Sequence, residues 1–533
     1  MRRAVGGVSA RGPMYHMAAT PNLARGKSIP APVGGWDAIS PLASMDEKNA
    51  IVLDNVFPQP GYVEIRKGHR IHETVATSAP VESLMPYHAA DGDDVLWAAC
   101  GAGIFNVTAN VTATNSAVIG GFANARWQHT NMSTSGGNFL CIYNGADTPR
   151  HYDGTVWATS AISGVTSTSI IAGTVFKERI FLVLEDSISP AYLNNDSIQG
   201  TATPFDLVGV FSKGGYLQAI GTWSLDGGAG PDDHIAFITS RGEVAIYSGT
   251  DPNTNFLLKG VYEIGAPLGR RCLRKVGADL AVVCIDGVVP LSKALITDRA
   301  AALTATITKM IQPVMNQSAR DWGSNFGWEL TSYPRGTRAI LNVPVTTNVE
   351  MRQYVLNTIT GAWCRFTGEN ANCWAVFQDR LFYGGAGGKV YEADCQGFDE
   401  GESFDYRIDT AFNYAGKRGG LKAYTMARAL LSTDGQLSPG LGLNVDFSTN
   451  APVDTITLDV DPSTLWDVAL WDGGVWPEVQ RIVTDWVSVS GVGYCASLAM
   501  AGVVDSAATD DESRDIVLQI NGFDLLVQDG GFL

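Results

Sequence analysis

Few groupings of residues in this chain could do chemistry, and each falls short of a working set. Gly384-Gly385-Ala386-Gly387-Gly388-Lys389 has the glycine density of a phosphate-cradling loop, where backbone N–H groups surround phosphates and a lysine reaches them. Val390 follows where Ser or Thr is needed for the magnesium ion, and the leading glycine is misplaced. A glycine-rich hairpin turn accounts for the segment more simply. Gly101-Ala102-Gly103 lacks the third glycine of a dinucleotide site, and His72-Glu73 has no second histidine four residues on. Ser224-Leu225-Asp226-Gly227-Gly228 partly matches the Asp box of sialidase-type propellers, without its aromatic ending or a second copy. Glycoside hydrolysis needs two well-placed carboxylates, and no pair is singled out. The expectation is no catalytic residue, no cofactor and no metal site.

Two acidic turns remain. Asp91-Gly92-Asp93-Asp94 and Asp226-Gly227-Gly228-Ala229-Gly230-Pro231-Asp232-Asp233 carry oxygens that suit calcium, but neither has the spacing of a calcium loop. Solvated turns are the simpler reading. The eight cysteines form no CxxC pair, and several sit in apolar runs such as LAVVCIDG. That pattern fits buried free thiols made in a reducing cytoplasm. Cys364 and Cys373 are close enough in sequence to leave one bridge as an alternative.

The elements that must position any site are short and β-like. Among 533 residues there are 59 glycines and 13 tryptophans, and only 17% are charged, a composition suited to short strands joined by tight turns. From 76 to 395 a unit recurs: apolar strand, Gly- or Asp-containing turn, apolar strand. Its turns fall near 101, 145, 187, 242, 287, 359 and 387, on average roughly 48 residues apart, the length of one propeller blade. The spacing predicts a β-propeller-like body of six or seven blades, against an irregular array of β-sandwiches.

One helix is expected over 297–322, with Leu303, Ile307, Met310 and Val314 on one face and Thr297 or Asp298 as N-cap. Residues 396–533 read as a separate C-terminal β platform-like domain. It has long strands around Lys417-Arg418-Gly419-Gly420, an alternating VDTITLDVD, and a hairpin about Asn521-Gly522. Residues 1–33 carry Arg2, Arg3, Arg11, Arg25 and Lys27 and form an arm, disordered or docked on a neighbour. Residues 34–75 should pack on the platform. Pro41 opens a short helix there, with Met45, Ala50 and Leu53 on one face, and the turn Phe57-Pro58-Gln59-Pro60-Gly61 ends it.

Thirty-seven Lys and Arg against 54 Asp and Glu give a net charge of −17. Tight nucleic-acid binding needs cations to neutralise phosphates, so it is not expected. No apolar stretch is long enough for a membrane helix, and no membrane insertion is expected.

The segment GGWDAISPLASMDEKNAIVLDNVFPQPGYVEIRKGHRIH resembles the opening of a family of tail proteins from short-tailed bacteriophages. The matching positions include Met45, Ala50, Leu53, Asp54, Asn55, Phe57, Pro58, Gly61, Val63, Arg66 and Gly68, with the family's first Asp shifted to Asp37. SKGGYLQAIGTWSLDGGAGPDDHIAFITSRGEVAIYSGTDP and GVYEIGAPLGRRCLRKVGADLAVVCIDGVVPLSKAL look like its central blocks, and NFGWEL and NGFDLLVQDGG also match. The resemblance spans most of 34–533. It implies a structural nozzle (or stabilization) protein with a propeller body, six copies forming a ring below the head–tail adaptor. Implied partners are that adaptor ring, tail fibre or spike proteins, and viral DNA that passes without tight binding. The implied location is the virion tail, assembled in the host bacterial cytoplasm. Asp91, Asp93, Asp94, Asp226, Asp232 and Asp233 are then candidates for a repulsive channel wall. The rival expectation is a host-glycan-binding or glycan-cleaving propeller tail protein.

Overall fold

The computed structural model describes residues 24–110, 115–226, 231–277, 279–294, 299–302, 305–433, 437, 439–450, 452, 454–455, 481–504 and 517–530. The body is a seven-bladed β-propeller. In chain order the inner strands of its blades are Val81–Tyr87, Gln128–Thr134, Ile170–Phe176, Leu217–Asp226, Leu273–Val276, Glu329–Tyr333 and Cys373–Phe377. Each stands beside the next, and the last returns to the first. The seven turns read from the sequence fall one to a blade. Six are the hairpin between second and third strands, and that near 359 is the outer hairpin of blade 6.

Ring closure comes from far away in sequence. The outermost strand of blade 7 is Gly68–Thr74, paired antiparallel with Lys389–Gln396. The chain enters the propeller through its last blade, then starts blade 1, so the first and last blades are locked by main-chain hydrogen bonds. Separate apolar cores lie between successive blades. One joins blade 7 to blade 1 through Val81, Leu84, Phe377 and Phe382. Others join blades 1 and 2, 2 and 3, 3 and 4, and 4 and 5. Burial of apolar area at roughly 25 cal/mol per Å² is the main force holding the ring.

Blade 5 has three strands. In place of a fourth, the chain runs into helical turns, Leu291–Ala294 and Arg299–Ala302, and later the helix Gln312–Trp322. The single helix expected over 297–322 is thus broken into pieces. Ile307 N–H donates to the Val288 carbonyl, and Met310 lies in a 3-10 turn. Leu303 and the expected caps Thr297 and Asp298 lie outside the described residues. Ile311, Met315 and Ala319 bury themselves against blade 6 and the platform.

The platform has two sheets. One pairs Lys422–Thr433 with Leu518–Asp529 and adds Val56–Pro58 and Val63–Ile65. The other runs Asn49–Asp54, Phe404–Thr410, Ala496–Val504, Gly440–Val445 and is continuous with blade 6, Asp54 lying opposite Arg365. Two sequence expectations fail here. Residues 49–54 are a strand, not part of a helix: Ile51-Val52-Leu53 favour extended backbone, and Ala50, Val52, Leu53 and Asp54 pair with Phe404–Thr410 around a bulge at Ile51. The Asn521-Gly522 hairpin does not form. Leu518–Asp529 runs straight through, and Asn521 is absorbed as a bulge between Leu431–Ile520 and Leu430–Gly522 pairs. The strands flanking Lys417–Gly420 join different sheets. Within 34–75, Gly35–Ile65 serve the platform while Gly68–Thr74 serve the propeller. The described end of the arm, Arg25–Pro30, pairs with this chain's own Leu518–Asp529. VDTITLDVD lies almost wholly outside the described residues.

All eight cysteines are unpaired. Burial pushes the thiols of Cys141, Cys272, Cys284 and Cys373 up to about 12, well away from the range of a reactive thiolate.

Candidate functional site

Part of the opening segment singled out in the sequence, Asp54–Gly68, lies at the junction of propeller and platform. Gly61 has φ +98°, at the hairpin that turns Val56–Pro58 back into Val63–Ile65. That hairpin delivers Arg66 to the junction, fully buried. Its five N–H donors are all used. Nε donates to Asn55 Oδ1 (3.0 Å). Nη1 donates to the Lys67 carbonyl (3.1 Å) and Asp399 Oδ1 (2.8 Å). Nη2 donates to the Thr367 carbonyl (3.0 Å) and Asp399 Oδ2 (2.5 Å). The guanidinium also lies 4.0 Å above the Phe404 ring.

Asn55, with φ +54°, accepts from Thr367 N–H and donates to the Asp405 carbonyl. Asp54 holds Arg365 through two bonds, 2.8 and 2.5 Å. Gly68 lies so close to the Phe398 carbonyl that a Cβ would stand 2.0 Å from its oxygen. Burial alone would raise the Asp399 carboxyl, but Arg66 and then His69 hold it well below the usual carboxylate range. Glu369, 3.9 Å from Arg66, is pushed up by burial. Chemically this arrangement is a bolt. It ties Asn55–Arg66 and Asp399 of the platform side to Thr367 and Glu369 between blades 6 and 7, and it exposes no reacting group.

A second constellation lies on the propeller axis, and sequence reading missed it. GRRCLRK, residues 269–275, leads into the inner strand of blade 5. Arg271 reaches across the axis. Its Nη2 donates to the Glu82 carbonyl (2.8 Å) and Ser83 Oγ (2.7 Å) of blade 1 and to the Trp127 carbonyl (3.2 Å) before blade 2. Its Nη1 stands 3.5 Å from Glu329 of blade 6. Arg270 reaches Glu185 beside blade 3 (2.7 Å) and the Asn144 carbonyl (3.3 Å). Burial raises the Glu329 carboxyl, opposed by Arg271 and Arg274. Below Arg271 is an axial cavity of about 410 Å³ lined by residues of all seven inner strands. A local run of basic residues was visible in the sequence, but the acidic total hid it.

The candidate channel acids lie elsewhere. Asp91, Asp93 and Asp94 sit in the loop after the inner strand of blade 1; the first two are exposed, and Asp94 accepts from Ala89 N–H (2.8 Å) and faces His88 (3.4 Å). Asp226 and Asp232 belong to the corresponding hairpin of blade 4, with Asp226 opposite Pro231 and Leu225 opposite Asp232. Their side chains lie outside the described residues. Asp233 is paired with Lys177 from the same end of blade 3. All six therefore mark one end of the propeller, and none lines the axial cavity. The glycine-rich run Gly384–Lys389 is a hairpin turn, with Gly385 N–H donating to the Lys389 carbonyl. Among the described residues no cluster of three metal-ligating side chains occurs, and no helix is long and apolar enough to cross a membrane.

No protein-family model matches the chain, and no curated protein matches it. Solved β-propeller structures do. BBS1N in complex with ARL6DN is 11% identical, with 62% of this chain and 98% of that chain covered and a TM-score of 0.37. YCF48 bound to a peptide is 9% identical, covering 64% and 98%, at 0.37. The computationally designed Ika8 protein is 8% identical, covering 61% and 99%, at 0.35. At such scores the fold assignment rests on the strand order and closure described above, and the chain is mainly β with a propeller body.

Proposed function

We propose that this chain is a structural subunit of a short bacteriophage tail, a nozzle protein whose ring of six copies surrounds the DNA path below the head–tail adaptor. The observation that carries this reading is the role of the residues resembling that family. Asp54, Asn55, Gly61, Arg66 and Gly68 build the bolt between propeller and platform, as expected if the paired domains must move and bear load as one body. The blocked axis of the single propeller supports it further. With Arg271 crossing from blade 5 to blade 1, a duplex cannot run through one subunit, so a DNA path has to lie between subunits.

In this reading the platform supplies most of the ring contact, and tail fibres or spikes attach outside it. The acids at one end of the propeller, Asp91 to Asp94 and Asp226 to Asp233, repel the passing polyanion. The isolated protein is expected to show no binding to duplex DNA up to tens of micromolar at low salt, measured by fluorescence anisotropy. Micromolar binding that weakens steeply with salt, the mark of counterion release, would contradict a repulsive conduit.

A further inference from the structure

The axial cavity holds a cation that no ion pair or hydrogen bond engages among the described residues. Of the three arginines in Gly269–Lys275, Arg270 is occupied by Glu185 and Arg271 by Glu329 and three acceptors. Arg274 has no ion pair or side-chain hydrogen bond among the described residues, although it lines both the 410 Å³ cavity and the 610 Å³ mouth below it. Glu329, the one carboxylate lining the cavity among the described residues, is already engaged by Arg271 and the Trp374 N–H. Lys275 stands at the same mouth.

His129, on the inner strand of blade 2, lines the cavity too, and its ring makes no hydrogen bond among the described residues. The ring is exposed to the solvent of the cavity, and its proton affinity is held down to about 4 by its position deep within the propeller first and then by Arg271 and Arg274. Arg271 and Arg274 line the same cavity as the ring. Thr222, also in the wall, has a hydroxyl with no partner among the described residues. Arg274 and His129 are both exposed to the solvent of the cavity, so an entering anion meets a guanidinium held only by water.

We propose that the propeller axis is a small-oxyanion site, in which Arg274 binds a phosphate- or sulfate-sized dianion, with the His129 ring and the Thr222 hydroxyl in the same wall. Planar guanidinium N–H pairs match oxyanion geometry. At about 30 Å³ per water, the cavity has room for on the order of ten waters, or for one such anion with part of its hydration. Arg271 closes the far end, so entry is from the mouth at Arg274 and Lys275, and a polymer cannot thread through. A bound dianion would join blade 5, which has three strands among the described residues, to its neighbour blade 4 and to blade 2 across the axis.

The test titrates inorganic phosphate and sulfate into the full purified chain at constant ionic strength, with chloride as control, by calorimetry and thermal unfolding. Phosphate is expected to bind at one site per chain and raise the unfolding temperature, and chloride is expected to do neither. Arg274→Gln should weaken phosphate at least tenfold while leaving the unfolding temperature in phosphate-free buffer the same or higher. Lys389→Gln, on blade 7, should bind as the parent does. Equal phosphate affinity in Arg274→Gln, or no preference for phosphate over chloride in the parent, would overturn the assignment. So would a fall of several degrees for Arg274→Gln without phosphate, because Arg274 would then serve the fold rather than a ligand.

Discussion

Replacing Arg66 with methionine is expected to destabilise the protein by about 3–5 kcal/mol, the usual cost of breaking a buried ion pair from one side. The substitution leaves Asp399 charged and buried, strands the acceptors at Asn55, Lys67 and Thr367, and removes the cation over Phe404. Adding Asp399→Leu should return much of the loss, since an apolar pair of similar volume avoids desolvating two charges. The first urea-unfolding transition reads both variants. A loss below about 1 kcal/mol for Arg66→Met would mean that water satisfies the site and the junction is not a bolt.

The same pair sets an acid limit. Asp399 is held below its ordinary value in the folded chain, so its contribution is complete above the unfolded carboxylate value near 3.9 and is lost as pH falls below it. That acid-sensitive component should be present in the parent and missing from Arg66→Met/Asp399→Leu.

The second large effect is expected on the axis. Arg271→Ala removes a side chain that ties blade 5 to blades 1 and 6 and to Trp127, and it leaves Glu329 buried without its cation. A loss of about 3–5 kcal/mol follows, partly restored by Glu329→Gln, which removes the stranded charge. If the ring were held by the interblade cores alone, Arg271→Ala would cost no more than an ordinary surface substitution, within about 0.5 kcal/mol. Arg270→Ala is the internal comparison. Its partner Glu185 is partly exposed, and exposed pairs contribute about 0–1 kcal/mol.

The blades were legible in the sequence because each puts an apolar strand on both sides of a Gly- or Asp-containing turn, and those signals are local. FLCIYNGADTPRHYDGTVW and RLFYGGAGGKVYEAD could be read without knowing their neighbours. Closure was not legible: Gly68–Thr74 pairs with Lys389–Gln396, more than 300 residues on, and no local pattern marks the partner. The two failed local readings have the same origin. Met45, Ala50 and Leu53 fit a helical face, yet Asn49–Asp54 gains a ladder, bulged at Ile51, by joining Phe404–Thr410. Asn521-Gly522 is the strongest hairpin dipeptide, yet the strand continues because Lys422–Thr433 offers it an unbroken partner. In both places tertiary pairing outweighed local preference.

Of the site, Arg66 was visible through the resemblance alone, and its burial was not. A lone Arg beside a Lys and a Gly reads as surface, and only Asp399, 333 positions away, makes it a core residue. Arg270, Arg271 and Arg274 lie in a block that carries the resemblance but received no role, because a net charge of −17 averages a basic axis into an acidic chain.

The central claim, that six copies form the nozzle ring of a short phage tail, is tested most directly by symmetry-free averaging of images of virions in which this chain carries an affinity label. The account predicts label density in six equivalent positions around the tail axis, below the adaptor. Label at three-, five- or twelve-fold positions, or on the fibres instead of the axial ring, would contradict it.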